Sequence, residues 1–317
     1  MRNEVLPENY CGERASEKPT SEVAATGRET SKRRAELRAR LLREFMEDAP
    51  FQPATNLWRA VELPVLAEAM PKSGRGLDVG CGDGILTRIL SDLAGACWQL
   101  VGVDPDGAEC HLARNSGMFT AVHESGADRI AEPDDSFDFA FANSVLEHIP
   151  DLPPCLAEVG RCLKPGGRFF ATVPSPGLHR AMAGPGWTRR ISRAEYLAEA
   201  DRRLLHFRYP SVDDWRLLLN DAGFDLESAR GYLTVRQVRR WERWTNSTGG
   251  LLYRLKGSKS RPIEIQRSLG LRRGLPKPLR MLGGPLAWLA GSGVLEEDSA
   301  DPDETACLLV VGRKRQR

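Results

Sequence analysis

No two cysteines in this chain are spaced C-x-x-C; the seven, at 11, 81, 97, 110, 155, 162 and 307, are odd in number and scattered. That pattern excludes a zinc ribbon and a disulfide framework, and it suits a reducing cytoplasm. Long apolar runs are missing as well. The longest uncharged stretch in a hydrophobic context, residues 281–295, has 15 residues with one Pro and four Gly, whereas a spanning helix needs about 20 predominantly apolar residues. Acids interrupt the opening MRNEVLPENY where a secretion signal would place its apolar core. There is no internal repeat. An excess of one charge sign is lacking too: 45 Lys/Arg face 43 Asp/Glu, a net of +2, which speaks against a dedicated nucleic-acid binder. The expectation is a cytoplasmic protein.

What is present is enough apolar side chain, 41% of 317 residues, to bury a sizeable core. Residues 1–30 have few large apolar groups and are expected to be disordered. Residues 31–70 read as a helical extension, with Leu37, Leu41, Leu42 and Phe45 at helical spacing and a second helix over 56–69. From 71 the chain alternates strand and helix signals. Strands are expected at 76–79, 99–104, 120–123, 137–143, 168–173, 224–232 and 306–313, with helices at 84–93, 105–115, 153–163 and 213–222 between them. Such alternation predicts an α/β fold with a largely parallel sheet.

Residues 233–305 interrupt this pattern where a tight hairpin would do. Within 236–280 there are 13 Lys/Arg and 2 acids, a local balance of +11, with Trp241, Trp244 and Tyr253 among them. Three readings of this insertion stand side by side. It is a helical lid over the ligand site, a peripheral membrane contact through 236–295, or a nucleic-acid groove. The lack of an RNA-binding motif disfavours the last. An anionic ligand, or one carried on a lipid phosphate, is the expectation that follows from this charge.

The sharpest motif is Leu77-Asp78-Val79-Gly80-Cys81-Gly82-Asp83-Gly84, a strand running into a G-x-G-x-G turn and a helix. Glycine there lets backbone come close to a ligand. Twenty residues beyond Gly84, Leu100-Val101-Gly102-Val103 ends in Asp104, where an acid can accept hydrogen bonds from both ribose hydroxyls of an adenosine-type ligand. A dinucleotide enzyme would have its third glycine one place later.

LDVGCGDG, LVGVD, residues 135–151 (DSFDFAFANSVLEHIPD), LKPGGRFFATVPSP at 163–176 and HFRYPSVDDWRLLLNDAGF at 206–224 together resemble class I S-adenosylmethionine-dependent methyltransferases, in particular the ubiquinone/menaquinone-methyltransferase-like (type 11) group. The resemblance implies a Rossmann-like seven-stranded sheet with helices on both faces and the last strand antiparallel, here with a helical insertion before that strand. The methyltransferase domain would be 71–232 plus 306–315. The implied cofactor is S-adenosyl-L-methionine, giving S-adenosyl-L-homocysteine.

The resemblance also implies roles. Gly80, Cys81 and Gly82 would face the methionine portion with Asp78 supporting the turn. Asp104 would hold the ribose, Pro105 and the Ala127 backbone would meet the adenine, and Asn143 and Ser144 would lie near the sulfonium. Many relatives have an acid just before the position of Ala127; here it is Gly126, with Asp128 following. Ubiquinone-type relatives bind a divalent metal with two Glu and a His; Glu147 and His148 match two of these, but Ser144 stands at the first Glu, so no metal is expected. Methyl transfer to an alcohol needs a base, and His148 and His206 are the candidates. Pro154-Cys155 falls inside a helix signal and reads as packing. The fourth strand ends in Ala-Asn-Ser-Val, unlike the motif that cradles a planar amino group. The expected reaction is therefore O-methylation of a small molecule or lipid-linked glycan. An RNA-modifying methyltransferase and a non-catalytic cofactor-binding protein remain as alternatives.

Overall fold

The computed structural model describes residues 21–185, 190–248 and 280–316, with side chains from residue 29 onward. Two helices lead in, α1 (Ser21–Asp48) and α2 (Pro53–Ala69). Then follow β1 (Ser73–Val79), α3 (Ile85–Ala94), β2 (Cys97–Asp104), α4 (Gly107–Asn115), β3 (Phe119–Glu124) and β4 (Phe137–Asn143). A 3₁₀ turn at Leu146–His148 leads to α5 (Leu152–Cys162), β5 (Leu163–Pro174), α6 (Pro176–Ala181), α7 (Arg193–Leu204) and α8 (Val212–Asp221). The chain continues through β6 (Phe224–Thr234), α9 (Val235–Ser247), α10 (Gly283–Gly291) and β7 (Thr305–Lys314).

Nearly unbroken apolar runs such as FDFAFAN and LVGVD form strands buried on both faces. All seven strands make one sheet in the order β3-β2-β1-β4-β5-β7-β6. The first five run parallel, and β7 is antiparallel to both β5 and β6. The sheet and the antiparallel last strand agree with the sequence reading. Local chemistry sets the helix ends. Ser211 caps α8 and pairs reciprocally with Asp214; Ser192 and Glu195 do the same for α7, and Thr234 and Gln237 for α9. One core lies between the sheet and helices that include α1, α2, α9 and α10, around Phe139, Phe141 and Phe170. The other lies between the opposite face and α5 and α8, around Phe169, Trp215 and Phe224.

Two expectations about the ends of the domain change. Residues 21–30 are helical rather than disordered, because α1 begins at Ser21; adding a turn to a helix already nucleated costs little, and its later turns are anchored by Leu41, Leu42 and Met46. Residues 1–20 lie outside the described ones. The insertion begins with α9, which packs on α2, and ends with α10, which packs on α1. Residues 249–279 lie outside the described ones. Among the described residues the insertion therefore buttresses the N-terminal helices instead of covering the mouth of the site.

From β1 the chain crosses to β2 on one side and to β4 on the other, so a crevice opens at the carboxyl ends of β1, β2 and β4. Such a switch point is where open α/β sheets bind ligands.

Candidate functional site

A cavity of about 880 Å³ occupies that crevice. Gly80, Gly82, Asp104, Pro105 and Ala127 line it, with His148 on the opposite wall. A smaller chamber of about 190 Å³ adjoins it, sharing Gly80, Gly82 and Val145, and is lined by Asp78, Cys81, Asn143, Ser144 and Arg59. All nine residues expected to meet the cofactor thus border one of two adjoining spaces.

The turn after β1 is built by sterics. Gly80 has φ +75°, and a β-carbon there would sit 2.5 Å from Val145 Cγ2. Gly82 differs: with φ +53°, its missing β-carbon would meet nothing nearer than Glu109 Oε2 at 4.0 Å, so its absence leaves room on the cavity side. Asp104 is held from behind. The Gly82 N–H donates to Oδ2 and the Asp106 N–H to Oδ1, each at 2.9 Å, which orients the carboxylate and leaves lone pairs for two more donors. Burial raises the Asp104 pKa, and those two backbone donors oppose the shift. Cys81 and Cys110 form a small apolar cluster behind the turn, and burial keeps the Cys81 thiol neutral.

Asp78 is buried in the chamber wall and accepts from Thr87 Oγ1 at 2.5 Å. Burial, reinforced by Asp104, pushes its pKa up to about 7. Because this raised value belongs to the folded state, the folded protein binds the extra proton. Stability is then full below the unfolded value near 4 and falls as pH rises through 7, by roughly 4 kcal/mol at 1.36 kcal/mol per unit. A cationic group bound beside Asp78 would favour the carboxylate. We expect Asp78→Asn to melt higher than wild type at pH 8 without ligand, yet to bind a cationic ligand more weakly. The gain in wild-type affinity between pH 6 and 8 should disappear in this variant, as read by titration calorimetry at both values.

Arg59 was not found from the sequence. Its Nη1 donates to Asn143 Oδ1 at 2.5 Å and is also paired with Glu62. Glu62 is fully buried and accepts from Ser144 Oγ at 2.5 Å and Tyr232 OH at 2.9 Å. Asn143 Nδ2 is buried with no partner, an open donor at the edge of the chamber. The one signal for this group was an Arg and a Glu three residues apart in the otherwise apolar α2.

On the acceptor side, His148 Nδ1 lies 3.0 Å from the Leu205 carbonyl. A carbonyl only accepts, so Nδ1 carries the proton; partial desolvation lowers the pKa of this half-exposed ring, and Nε2, 4.0 Å from Glu147 Oε1, makes no hydrogen bond and keeps its lone pair. His206 does not line the cavity. Its ring sits 5.1 Å from that of His148, and its Nδ1 is 3.1 Å from Tyr209 OH, which donates to Asp201 at 2.5 Å. Burial, then the nearby His148 and His179, lower its pKa to about 3. Glu147 is buried, its Oε2 has no partner, and burial followed by the charge of Glu62 raises its pKa to about 8.

Here the expectation of two metal donors needs correction. Glu147, His148 and His206 bring ligand atoms within 4.8 Å of one another. His206 arrives from the end of α7, 58 residues beyond His148, a proximity that spacing cannot show. Two bare imidazole nitrogens and an orphan carboxylate oxygen fit a divalent transition metal.

The cavity wall carries Asp104, Asp106, Glu109, Asp128 and Asp151 against Arg203. The wall is thus acidic on balance, in contrast to the basic insertion. Cys155 also borders the cavity, but burial pushes its thiol up to about 11, so it is an apolar surface and no nucleophile.

Residues 38–229 match the family model described as "Methyltransferase domain". An uncharacterised methyltransferase of Schizosaccharomyces pombe is 30% identical over 175 residues, 52% of this chain and 66% of that protein. A ubiquinone biosynthesis O-methyltransferase of Xanthomonas oryzae pv. oryzae is 30% identical over 207 residues, covering 63% of this chain and 80% of that one. A solved SAM-dependent methyltransferase of Thermotoga maritima, described as a possible histamine N-methyltransferase, aligns with a TM-score of 0.49 at 19% identity, over 81% of this chain and 89% of that one.

Proposed function

The chain belongs to the class I S-adenosylmethionine-dependent methyltransferases, and from that premise we propose that it methylates a hydroxyl oxygen of a small molecule or sugar that carries no strong negative charge. The observation that carries this reading is the neutral His148 on the cavity wall, its Nδ1–H committed to Leu205 and its Nε2 free. The printed name of the Xanthomonas relative supports oxygen as the acceptor atom.

When bound, S-adenosylmethionine supplies a methyl group made electrophilic by its sulfonium. The protein's residues do the rest. Asp104 would accept from the two ribose hydroxyls, and the Ala127 backbone would meet the adenine. Arg59 and the open Asn143 amide would meet the amino-acid end, with Asp78 opposite its ammonium. Leu204, Leu205, Val145 and Ile149 give the acceptor side of the cavity an apolar wall that excludes water. His148 Nε2 would take the hydroxyl proton, so that the acceptor oxygen is ready to be methylated.

A second reading rests on the three converging donors. Glu147, His148 and His206 would hold a divalent cation, which would polarise the acceptor hydroxyl. A screen for S-adenosylhomocysteine release across phenols, catechols, sugars, amines and RNA, with and without chelator, tests both. Turnover only on hydroxyl compounds, insensitive to chelator, is the expected result. Loss on chelation with recovery on adding metal selects the second reading, and turnover confined to amines or RNA contradicts both.

A further inference from the structure

Helix α10 is apolar on two sides, and only one of them is buried. Gly283, Ala287, Ala290 and Gly291 face the core, where Gly283 presses on Glu47 and Gly291 on Leu42 of α1. The other side, continued by the turn before the helix, carries Met281, Leu282, Pro285, Trp288 and Leu289, all exposed. Met281 is 80% and Trp288 71% exposed. A contiguous patch of this kind with a tryptophan in it marks an interaction site.

Its neighbour is basic. The exposed side of α9 carries Arg236, Arg239 and Arg243, while its buried side holds Val238 and Trp241. Arg240 joins the two surfaces: its Nη1 donates to the Leu289 carbonyl at 2.5 Å and its Nη2 to Ser292 O at 3.2 Å. Arg236 is paired with Glu297. Arg239, Arg240 and Arg243 have no carboxylate partner among the described residues. Burial and then the like charges of Arg243 and Arg236 lower the Arg240 pKa, so the cluster repels itself. Trp288 also walls a groove of about 790 Å³ between α1 and α10, which Lys32 and Arg43 border together with Glu36 and Glu296, so the basic character of the face comes from α9.

We propose that this face of α9 and α10 docks the enzyme on an anionic lipid surface, with Trp288 and Leu289 entering the interface and the arginines of α9 meeting lipid phosphates. An aromatic and aliphatic wedge edged by arginines suits the boundary between headgroups and acyl chains. A second copy of this chain is the poorer occupant, since a symmetric contact would bring together two arginine clusters of like charge. The cavity lies elsewhere on the fold and none of these residues lines it, so docking and cofactor binding are separable.

Flotation with vesicles tests this directly, using phosphatidylcholine alone and phosphatidylcholine with about a third phosphatidylglycerol. Wild type is expected to float with the anionic vesicles at 0.1 M salt, to stay behind with the neutral ones, and to be released at 0.5 M salt. The doubly substituted W288E/L289E and R239E/R243E should each partition at least tenfold less. Both should keep wild-type affinity for S-adenosylhomocysteine, which shows that they fold. Two outcomes overturn the proposal: no preference of wild type for anionic vesicles, or equal binding by properly folded variants. Concentration-dependent dimers in sedimentation that vanish in W288E/L289E also overturn it and give the face to a second copy.

Discussion

Replacing His148 by glutamine is expected to lower kcat about 10²- to 10⁴-fold, the usual worth of a positioned general base. Glutamine can still donate to the Leu205 carbonyl, so the local backbone keeps its hydrogen bond. It offers no basic nitrogen to the cavity. Affinity for S-adenosylhomocysteine should stay within about threefold of wild type, because nothing on the cofactor side of the cavity changes. His206→Gln is the informative companion. Its ring stands 5.1 Å behind that of His148, so under the base reading the loss is about tenfold, through a less well-held His148. A loss as large as that of His148→Gln, together with chelator sensitivity, would instead assign both rings to a metal. Steady-state kinetics on the best hydroxyl acceptor, paired with calorimetry, separates these outcomes.

The second large effect is expected at Asp104. Each oxygen already accepts one backbone N–H, and the account gives each a ribose hydroxyl as well. Hydrogen bonds to a charged acceptor contribute about 1.5–3 kcal/mol each, so Asp104→Ala should weaken cofactor binding by roughly 10²- to 10⁴-fold. Asp104→Asn keeps one carbonyl acceptor and should fall between. The ligand-free variants should melt no lower than wild type by more than a few degrees. Burial already disfavours this carboxylate, so its removal relieves a desolvated charge even as two backbone donors lose their partner. Unchanged affinity in a folded Asp104→Ala would mean that the ligand does not run past the end of β2.

These two residues illustrate what is legible in such a chain. Asp104 can be read because its position is local: a strand of apolar residues ends in an acid one strand after a glycine turn, and the parallel pairing of β1 with β2 brings them together. The same holds for Gly80 and Gly82, just after a strand whose boundaries follow from an apolar run; Ala127, three residues beyond β3, comes only from the family resemblance. His206 and Arg59 escape this logic. Their roles come from packing between elements far apart in the chain, Arg59 reaching Asn143 across 84 residues. The start of α1 escapes for a related reason: residues 21–30, with Val23 as their one large apolar side chain and no hydrophobic stripe, take their helical form from the turns that follow. The insertion misleads through composition. Its charge is plain in the sequence, but only the contacts of α9 with α2 and of α10 with α1 show that its described parts brace the N-terminal helices. The cavity they leave to others is walled on that side by Arg203, Leu204 and Leu205 at the end of α7.

The charge ledger also reads differently in three dimensions. Near-neutrality overall conceals an acidic cavity, from Asp104, Asp106, Glu109, Asp128 and Asp151, and a basic face on α9 carrying Arg236, Arg239, Arg240 and Arg243. The first suits a cationic cofactor and an uncharged acceptor; the second faces away from the chemistry.

S-adenosylmethionine would lie across the two adjoining spaces at the ends of β1, β2 and β4, with its reactive centre turned toward His148. A crystal structure of the complex with S-adenosylhomocysteine tests it most directly. The account predicts both ribose hydroxyls within about 3 Å of Asp104, the amino-acid end in the chamber bordered by Arg59 and Asn143, and the sulfur where the chamber opens past Val145 onto the His148 side. Ligand bound with its ribose away from Asp104, or a folded protein that takes up no ligand at saturating concentration, would contradict it.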